Sequence, residues 1–314
     1  MTSPTKVNSH GFADFRNRDA KAFLLALFAT SVSGYTAETS ARDTMNQPQI
    51  STGPTTILSP QISGAISRMR LSEHIYLVGS GRLGFNMSDE LDCHVYLISD
   101  GEDAVIIDAG AGRNCGQLLD EISHDGIDHT IVRRLLLTHA HADHAGGAAA
   151  LSNSLGLQVF ASELAGTYLT EGDEAAISLD RSRAAGGYPA DYSFARCDVS
   201  GVLVPGDRVD VGSLSIDVFD SPGHCGGHLS FALRRPGGAD LFTGDAVFFG
   251  GKILLQDIWD CSVSESCRTV ERLAAIRPDG LYPAHGPFSR QRGWTHLDKA
   301  MESVNRLLPP PQYG

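Results

Sequence analysis

Long apolar runs are missing from this 314-residue chain. The run Ala22 to Ala29 is too short to cross a bilayer as a helix, so no membrane span is expected. Positive charge is scarce: 25 Lys and Arg stand against 37 Asp and Glu, a net charge of −12. A nucleic-acid groove normally presents a basic face, so nucleic acid is not expected as a partner, and the acidity is read as favouring solubility. Cysteine is present without a pattern. Cys93, Cys115, Cys197, Cys225, Cys261 and Cys267 contain no Cys-x-x-Cys pair, which removes the spacing of thiolate zinc sites and dithiol redox motifs. A chain of this length can bury a core without disulfides, so free, mostly buried thiols are expected.

The N-terminal region differs from the rest. Arg16, Arg18 and Lys21 precede the apolar run, and the small residues Thr30 to Gly34 follow it, which is the outline of a secretory signal peptide. From Glu38 to Ser63 the chain is rich in Thr, Ser, Pro and Gln, a linker composition. The expected organisation is a disordered extension over residues 1–65, with a possible signal peptide and linker, and one folded domain over 66–314. The compartment stays open between the cytoplasm and, if residues 1–37 are cleaved, the periplasm or exterior.

Beyond the extension, strands are expected at His74–Val78, Cys93–Ile98, Ala104–Ile107, Ile131–Leu137 and Leu157–Ala161, with helices at Cys115–His124 and Gly146–Leu155. Residues 163–197 read as a helical and looped segment. Strands then return at Gly201–Val204, Ser213–Phe219, His228–Leu233 and Leu241–Thr243, followed by a helix Arg268–Ile276, a strand Gly280–Tyr282 and a helix Thr295–Leu308. Two packed sheets with helices outside suit this order. Gly79-Ser-Gly-Arg-Leu-Gly84 has the spacing of a dinucleotide fingerprint, but no amphipathic helix follows it; a hairpin loop at a pocket rim is expected instead.

The chemistry is concentrated in Thr138-His139-Ala-His141-Ala-Asp143-His144, where an apolar strand ends and a helix begins. Alternation along an extended turn aims His139 and His141 the same way, while Asp143 and His144 face a neighbouring position. Four such donors within six residues crowd together unfavourably unless a cation neutralises them. Imidazole with carboxylate oxygen suits zinc, and also iron or manganese. Three further donors sit in tight turns after strands: His224 in Ser221-Pro-Gly-His, Asp245 in Phe242-Thr-Gly-Asp, and His285 in Tyr282-Pro-Ala-His-Gly286.

With these motifs the chain resembles the metallo-β-lactamase superfamily over about residues 70–290. The resemblance implies an α/β fold, the αββα four-layer sandwich, with metals at one edge of the two sheets. It implies two ions, most simply Zn2+: one held by His139, His141 and His224, the other by Asp143, His144 and His285, with Asp245 bridging both. Asp108, in Ile-Ile-Asp-Ala-Gly, would orient ligands without binding metal. His228, four residues after His224, is expected either behind the ligands or as a hydrogen-bonded core residue. Two ions would acidify a bridging water, and the resulting hydroxide would attack the substrate. Asp143 would orient this nucleophile or carry its proton, and no Ser-His-Asp triad is needed.

The seven-donor set resembles the branches with a bridging Asp, namely glyoxalase II, lactonases and organophosphorus hydrolases. Ser221-Pro-Gly-His-Cys-Gly-Gly-His228 is most like glyoxalase II, but the 29 residues after His285 are fewer than that family's glutathione-binding domain needs. Lactonases of this type usually carry Tyr three residues after the bridging Asp, where this chain has Phe248. The favoured substrate is a small molecule with an ester-type bond: lactone, ester or thioester. Phosphotriesterase, phosphodiesterase, β-lactamase and mononuclear-iron persulfide dioxygenase are the alternatives. Residues 163–197, with Tyr168, Tyr188, Tyr192 and Phe194, are expected to cover the substrate, and His94, Phe248, Phe249 and Trp259 to line its pocket.

Overall fold

The computed structural model describes residues 69–313; the expected extension over 1–65 lies outside the described residues. Three strands come first, β1 (Ile75–Gly79), β2 (Val95–Ser99) and β3 (Ala104–Ile107), then helix α1 (Cys115–His124) and β4 (Val132–Leu136). Two short helices, α2 (Ala142–Ala145) and α3 (Ala148–Leu155), lead to β5 (Gln158–Ala161). Helices α4 (Glu163–Glu171) and α5 (Leu179–Ala184) precede β6 (Gly201–Val202). The second half runs β7 (Arg208–Val211), β8 (Leu214–Asp220), β9 (Leu229–Arg235), β10 (Gly238–Gly244), α6 (Val263–Ala274), β11 (Gly280–Pro283) and α7 (Trp294–Val304).

The strands form two sheets. One has the order β1-β2-β3-β4-β5-β6, the other β11-β10-β9-β8-β7. In the first, β1 to β3 pair antiparallel and β3 to β6 parallel. In the second, only the β10–β11 pair is parallel. Alternation along each strand sorts side chains to opposite faces. Tyr96, Ile98, Val105 and Ile107 meet Ile216, Val218, Phe231 and Phe242 between the sheets. Val95, Leu97, Ile106 and Leu135 face outward and pack with Leu118, Ile122 and Leu151 of α1 and α3. On the far side, Leu241 and Leu281 pack with Val270, Leu273 and Leu297 of α6 and α7. Strands buried on both faces and helices with one apolar stripe thus build four layers, the expected αββα sandwich.

Local signals explain several boundaries. Ser162 caps α4 by accepting from Ala165 N, and Ser262 caps α6 by accepting from Glu265 N, the Ser-x-x-Glu arrangement that starts a helix. That cap puts the start of α6 five residues before the expected Arg268, because Val263-Ser-Glu-Ser carries a cap signal but little apolar periodicity. Strand β7 was not expected. It is a partly exposed edge strand whose Arg208 and Asp210 mask the alternation. No helix opens after Gly84; the next begins at Cys115. Among the described residues no helix is long and apolar enough to cross a membrane.

Candidate metal centre

The donor residues follow the carboxyl ends of strands from both sheets, where ligands of open α/β sheets gather. Asp108 follows β3, His139 to His144 follow β4, His224 follows β8, Asp245 follows β10 and His285 follows β11. Main-chain bonds lock these turns together. Leu229 N donates to Thr138 O at 2.7 Å, Ala284 N to Gly244 O at 3.0 Å, and Ala109 N to His144 O at 2.7 Å.

All seven expected donors converge. His139, His141 and His224 place ligand atoms within 4.8 Å of one another; so do His139, His144 and Asp245, and so do Asp143, His144 and His285. His224 Nε2 lies 2.9 Å from His141 Nδ1. The Asp245 carboxylate spans the two groups: Oδ2 is 3.5 Å from His224 Nε2, while Oδ1 is 3.6 Å from both His144 Nε2 and His285 Nε2. Asp143 Oδ2 is 3.2 Å from His285 Nε2 and 3.5 Å from His144 Nε2.

The far side of several rings is held by the scaffold. His144 donates from Nδ1 to Asp108 Oδ2 at 2.9 Å, and His224 donates from Nδ1 to Leu254 O at 3.0 Å. His139 Nδ1 lies 3.0 Å from Thr138 Oγ1. Asp108 also accepts from Thr138 N and Oγ1, both at 2.8 Å, and adopts φ +61°, a backbone region sparsely used outside glycine. His228 stands behind the donors. Its Nε2 accepts from Asp245 N at 3.1 Å and its Nδ1 faces Ser221 Oγ at 2.8 Å, so it shapes the Asp245 turn. Gly244, at φ +51°, sits so close that a Cβ there would come within 2.7 Å of His228 Nε2.

Burial, reinforced by the neighbouring histidines, pushes His139 and His228 well below the ordinary imidazole range and His141 down to about 3. These rings are neutral, the form that binds metal. Burial also works against charge on Asp143 and Asp245, but His144 and His285 outweigh it and hold both carboxyls well below their usual range. Three buried atoms, His139 Nε2, His144 Nε2 and Asp245 Oδ1, have no hydrogen-bond partner among the described residues. Orphaned buried polar atoms are costly. Their convergence on one centre, with imidazole nitrogen and carboxylate oxygen as donors, fits a divalent metal.

Residues 88–287 match the family model described as the metallo-beta-lactamase superfamily. The chain belongs to the metallo-β-lactamase superfamily. It is 28% identical over 156 residues to a hydroxyacylglutathione hydrolase of Hahella chejuensis, covering 49% of this chain and 46% of that protein. It is 26% identical over 200 residues to one from Pseudomonas entomophila, covering 63% and 60%. The chain thus spans about half the length of the first and under two thirds of the second. A probable metallo-hydrolase of Bacillus subtilis, YybB, is 23% identical, with 69% of this chain and 90% of that one covered. Among solved structures, the FEZ-1 metallo-β-lactamase of Legionella gormanii superposes with a TM-score of 0.58 at 19% identity, covering 76% of this chain and 94% of that one. This superfamily likeness in structure concerns the fold.

The expected pocket residues are dispersed in depth. Phe248 is fully buried, stacking on His285 at 6.4 Å and on Tyr313 at 4.2 Å, so it backs a donor and is no open wall. Phe249 turns outward onto His296, and Trp259 is 62% exposed, its indole donating to Ala176 O. His94 is buried beside the centre; its Nε2 lies 2.8 Å from Gly286 O and its ring stacks on Phe85. Burial holds it neutral, down to about 4. The Gly79–Gly84 loop, expected at a pocket rim, lies against the His285 turn through Leu83 O, which accepts from Gly286 N at 2.8 Å; Leu83 and the following Phe85 are exposed. Residues that sequence reasoning passed over also converge here. Leu164, also exposed, rests against Gly226 and Gly227 of the His224 turn. Buried Cys225 joins the His139, His141 and His224 group. Its place directly after His224 was the only signal for it. Tyr313 had none: Tyr313 N donates to Ile253 O at 2.8 Å, and its hydroxyl comes within 2.6 Å of where a Gly286 Cβ would lie.

Proposed function

We propose that this chain hydrolyses an ester-type bond, in a lactone, ester or thioester, of a small and partly apolar substrate at a centre of two metal ions, most simply zinc. His139, His141 and His224 would hold one ion; Asp143, His144 and His285 the other; Asp245 would serve both. The observation that carries this reading is the Asp245 carboxylate, with one oxygen facing His224 and the other facing His144 and His285. When bound, two such ions supply Lewis acidity and lower the pKa of water towards neutrality.

The chain's own residues account for the rest. Asp108, Thr138 and Leu254 O fix the ring orientations, so the donors need little reorganisation. Asp143, ionised and less deeply buried than Asp245, is the carboxylate able to orient an attacking water and accept its proton. Leu83, Phe85 and Leu164 put apolar surface beside the His285 and His224 turns, which favours an acyl group with apolar character. The curated hydroxyacylglutathione hydrolases keep thioesters within the proposed class. The folded hydrolase domain is proposed to extend over 66–314, with 1–65 as an extension.

Elemental analysis joined to a hydrolysis panel tests this. We expect about two zinc ions per chain and turnover of small apolar esters, lactones or thioesters above that of penicillins and cephalosporins. Asp245→Asn should weaken both metal positions together. Efficient phosphotriester cleavage with negligible ester, lactone or thioester turnover would overturn the substrate class. One tightly bound iron with oxygen uptake would overturn the two-metal reading.

A further inference from the structure

The side chain of Asp143 is supported from an unusual direction. His144, His224 and His139 are held by Asp108, Leu254 O and Thr138. Asp143 instead accepts from Tyr188, whose hydroxyl lies 3.0 Å from Oδ1. Tyr188 belongs to the excursion between β5 and β6. The other carboxylate oxygen, Oδ2, then faces His285 and His144 at 3.2 and 3.5 Å. Asp143 keeps 22% of its side chain exposed, against 4% for Asp245, so without Tyr188 its carboxylate has room to turn towards solvent.

The excursion is itself anchored. Tyr192, whose ring lies 4.9 Å from that of Tyr188, donates to Ala111 O at 2.7 Å and reaches Ala142 O at 3.3 Å. Gly146 leaves the space that the Tyr192 hydroxyl fills. Glu174 accepts from Phe194 N at 2.8 Å and pairs with Arg183, closing the segment on itself.

We propose that Tyr188 is a positioning residue for the second metal position: its hydroxyl fixes which oxygen of Asp143 faces His144 and His285, and so couples the 163–197 excursion to metal affinity. This rests on the ligand set proposed above. Coupling of this kind is reciprocal: filling the second position steadies the excursion, and docking of the excursion tightens the second position.

Zinc titration of the metal-stripped full-length protein, read by calorimetry and chelator competition, separates the two positions. For Tyr188→Phe the second zinc should bind about 10–100-fold more weakly, with the first zinc and the melting temperature of the stripped protein unchanged. Tyr192→Phe removes a hydroxyl that anchors the same segment at Ala111 O but is not a donor to Asp143, so it should weaken the second zinc less than Tyr188→Phe does, and an equal or larger loss would overturn the role of the Tyr188 hydroxyl. Equal zinc affinities in wild type and Tyr188→Phe would overturn the proposal, as would equal weakening of both positions. A wild type that takes up one zinc would overturn the two-metal reading and this proposal together, whereas two zinc ions with an indifferent variant would overturn this proposal alone. Hydrogen exchange on the wild type gives a measure independent of any variant: protection over 173–197 should rise with the second zinc equivalent and not the first, and no such rise would overturn the coupling.

Discussion

Asp92 is almost fully buried one residue before Cys93, where its Oδ2 accepts from Ser88 Oγ at 2.6 Å and its Oδ1 from Ala111 N at 2.7 Å. Burial outweighs both bonds and pushes its carboxyl up to about 6. In an unfolded chain the same group ionises near pH ~3.9. The folded state therefore binds the proton more tightly, and this residue's contribution to stability is full below about pH 4 and lost as the pH rises through about 6. Asp92→Asn stays neutral, so its stability relative to wild type should rise by up to ~3 kcal/mol between pH 4 and 7. Denaturant midpoints of the two proteins across that range check the expectation, and parallel curves would refute it. The same residue-by-residue view separates His228 from His224. They are four apart in sequence, yet His224 aims Nε2 into the centre while His228 spends its Nε2 on the Asp245 N–H.

At the scale of elements, the junction between β3 and the α2–α3 pair is the tightest part of the site. Gly147 N donates to Gly110 O at 2.9 Å and Ala109 N to His144 O at 2.7 Å, so two loops run against each other backbone to backbone. A Cβ on Gly147 would overlap the Ala109 carbonyl, which is main chain and has little room to yield. Gly147→Ala is expected to destabilise by about 1–3 kcal/mol, seen as a lower melting temperature, and to weaken metal binding because Ala109 carries His144 with it. A variant with wild-type stability would mean that the two loops can part freely. The strand ends teach a related point. Five different strands each deliver a donor or an orienting carboxylate, and the glycines and prolines around them let the turns crowd together without side chains in the way.

For the molecule as a whole, the centre joins the two sheets. His139, His141, Asp143 and His144 come from the first sheet's side, while His224, Asp245 and His285 come from the second. A ligand bound there bridges both halves of the sandwich and stabilises the folded state by mass action, about 4 kcal/mol when free metal exceeds its Kd by ~1,000-fold. Chelation should therefore lower the melting temperature by roughly 2–4 °C for each kcal/mol lost, and added zinc should restore it. Scanning calorimetry with and without chelator measures this directly. A melting temperature indifferent to both treatments would show that the centre does not tie the sheets together.

Much of this was legible in the chain itself. Local sequence pattern placed strand β3 and helix α1 at their observed limits, and the His139–His144 run with the turns at His224, Asp245 and His285 marked residues that do meet in space. Such donors are chemically expensive to crowd, so their spacing in sequence already carried information about a shared centre. What the sequence left open is set by contacts between distant segments. Tyr188 meets Asp143 across 45 positions and Leu254 O meets His224 across 30. Phe248 and Phe249 are adjacent and chemically alike, yet one is sealed behind His285 and the other faces outward on His296. Periodicity and donor chemistry are local properties, readable from neighbours along the chain. Which face of a loop is buried, and which hydroxyl reaches which carboxylate, depends on how the packed layers bring remote segments together, and only the tertiary structure decides that.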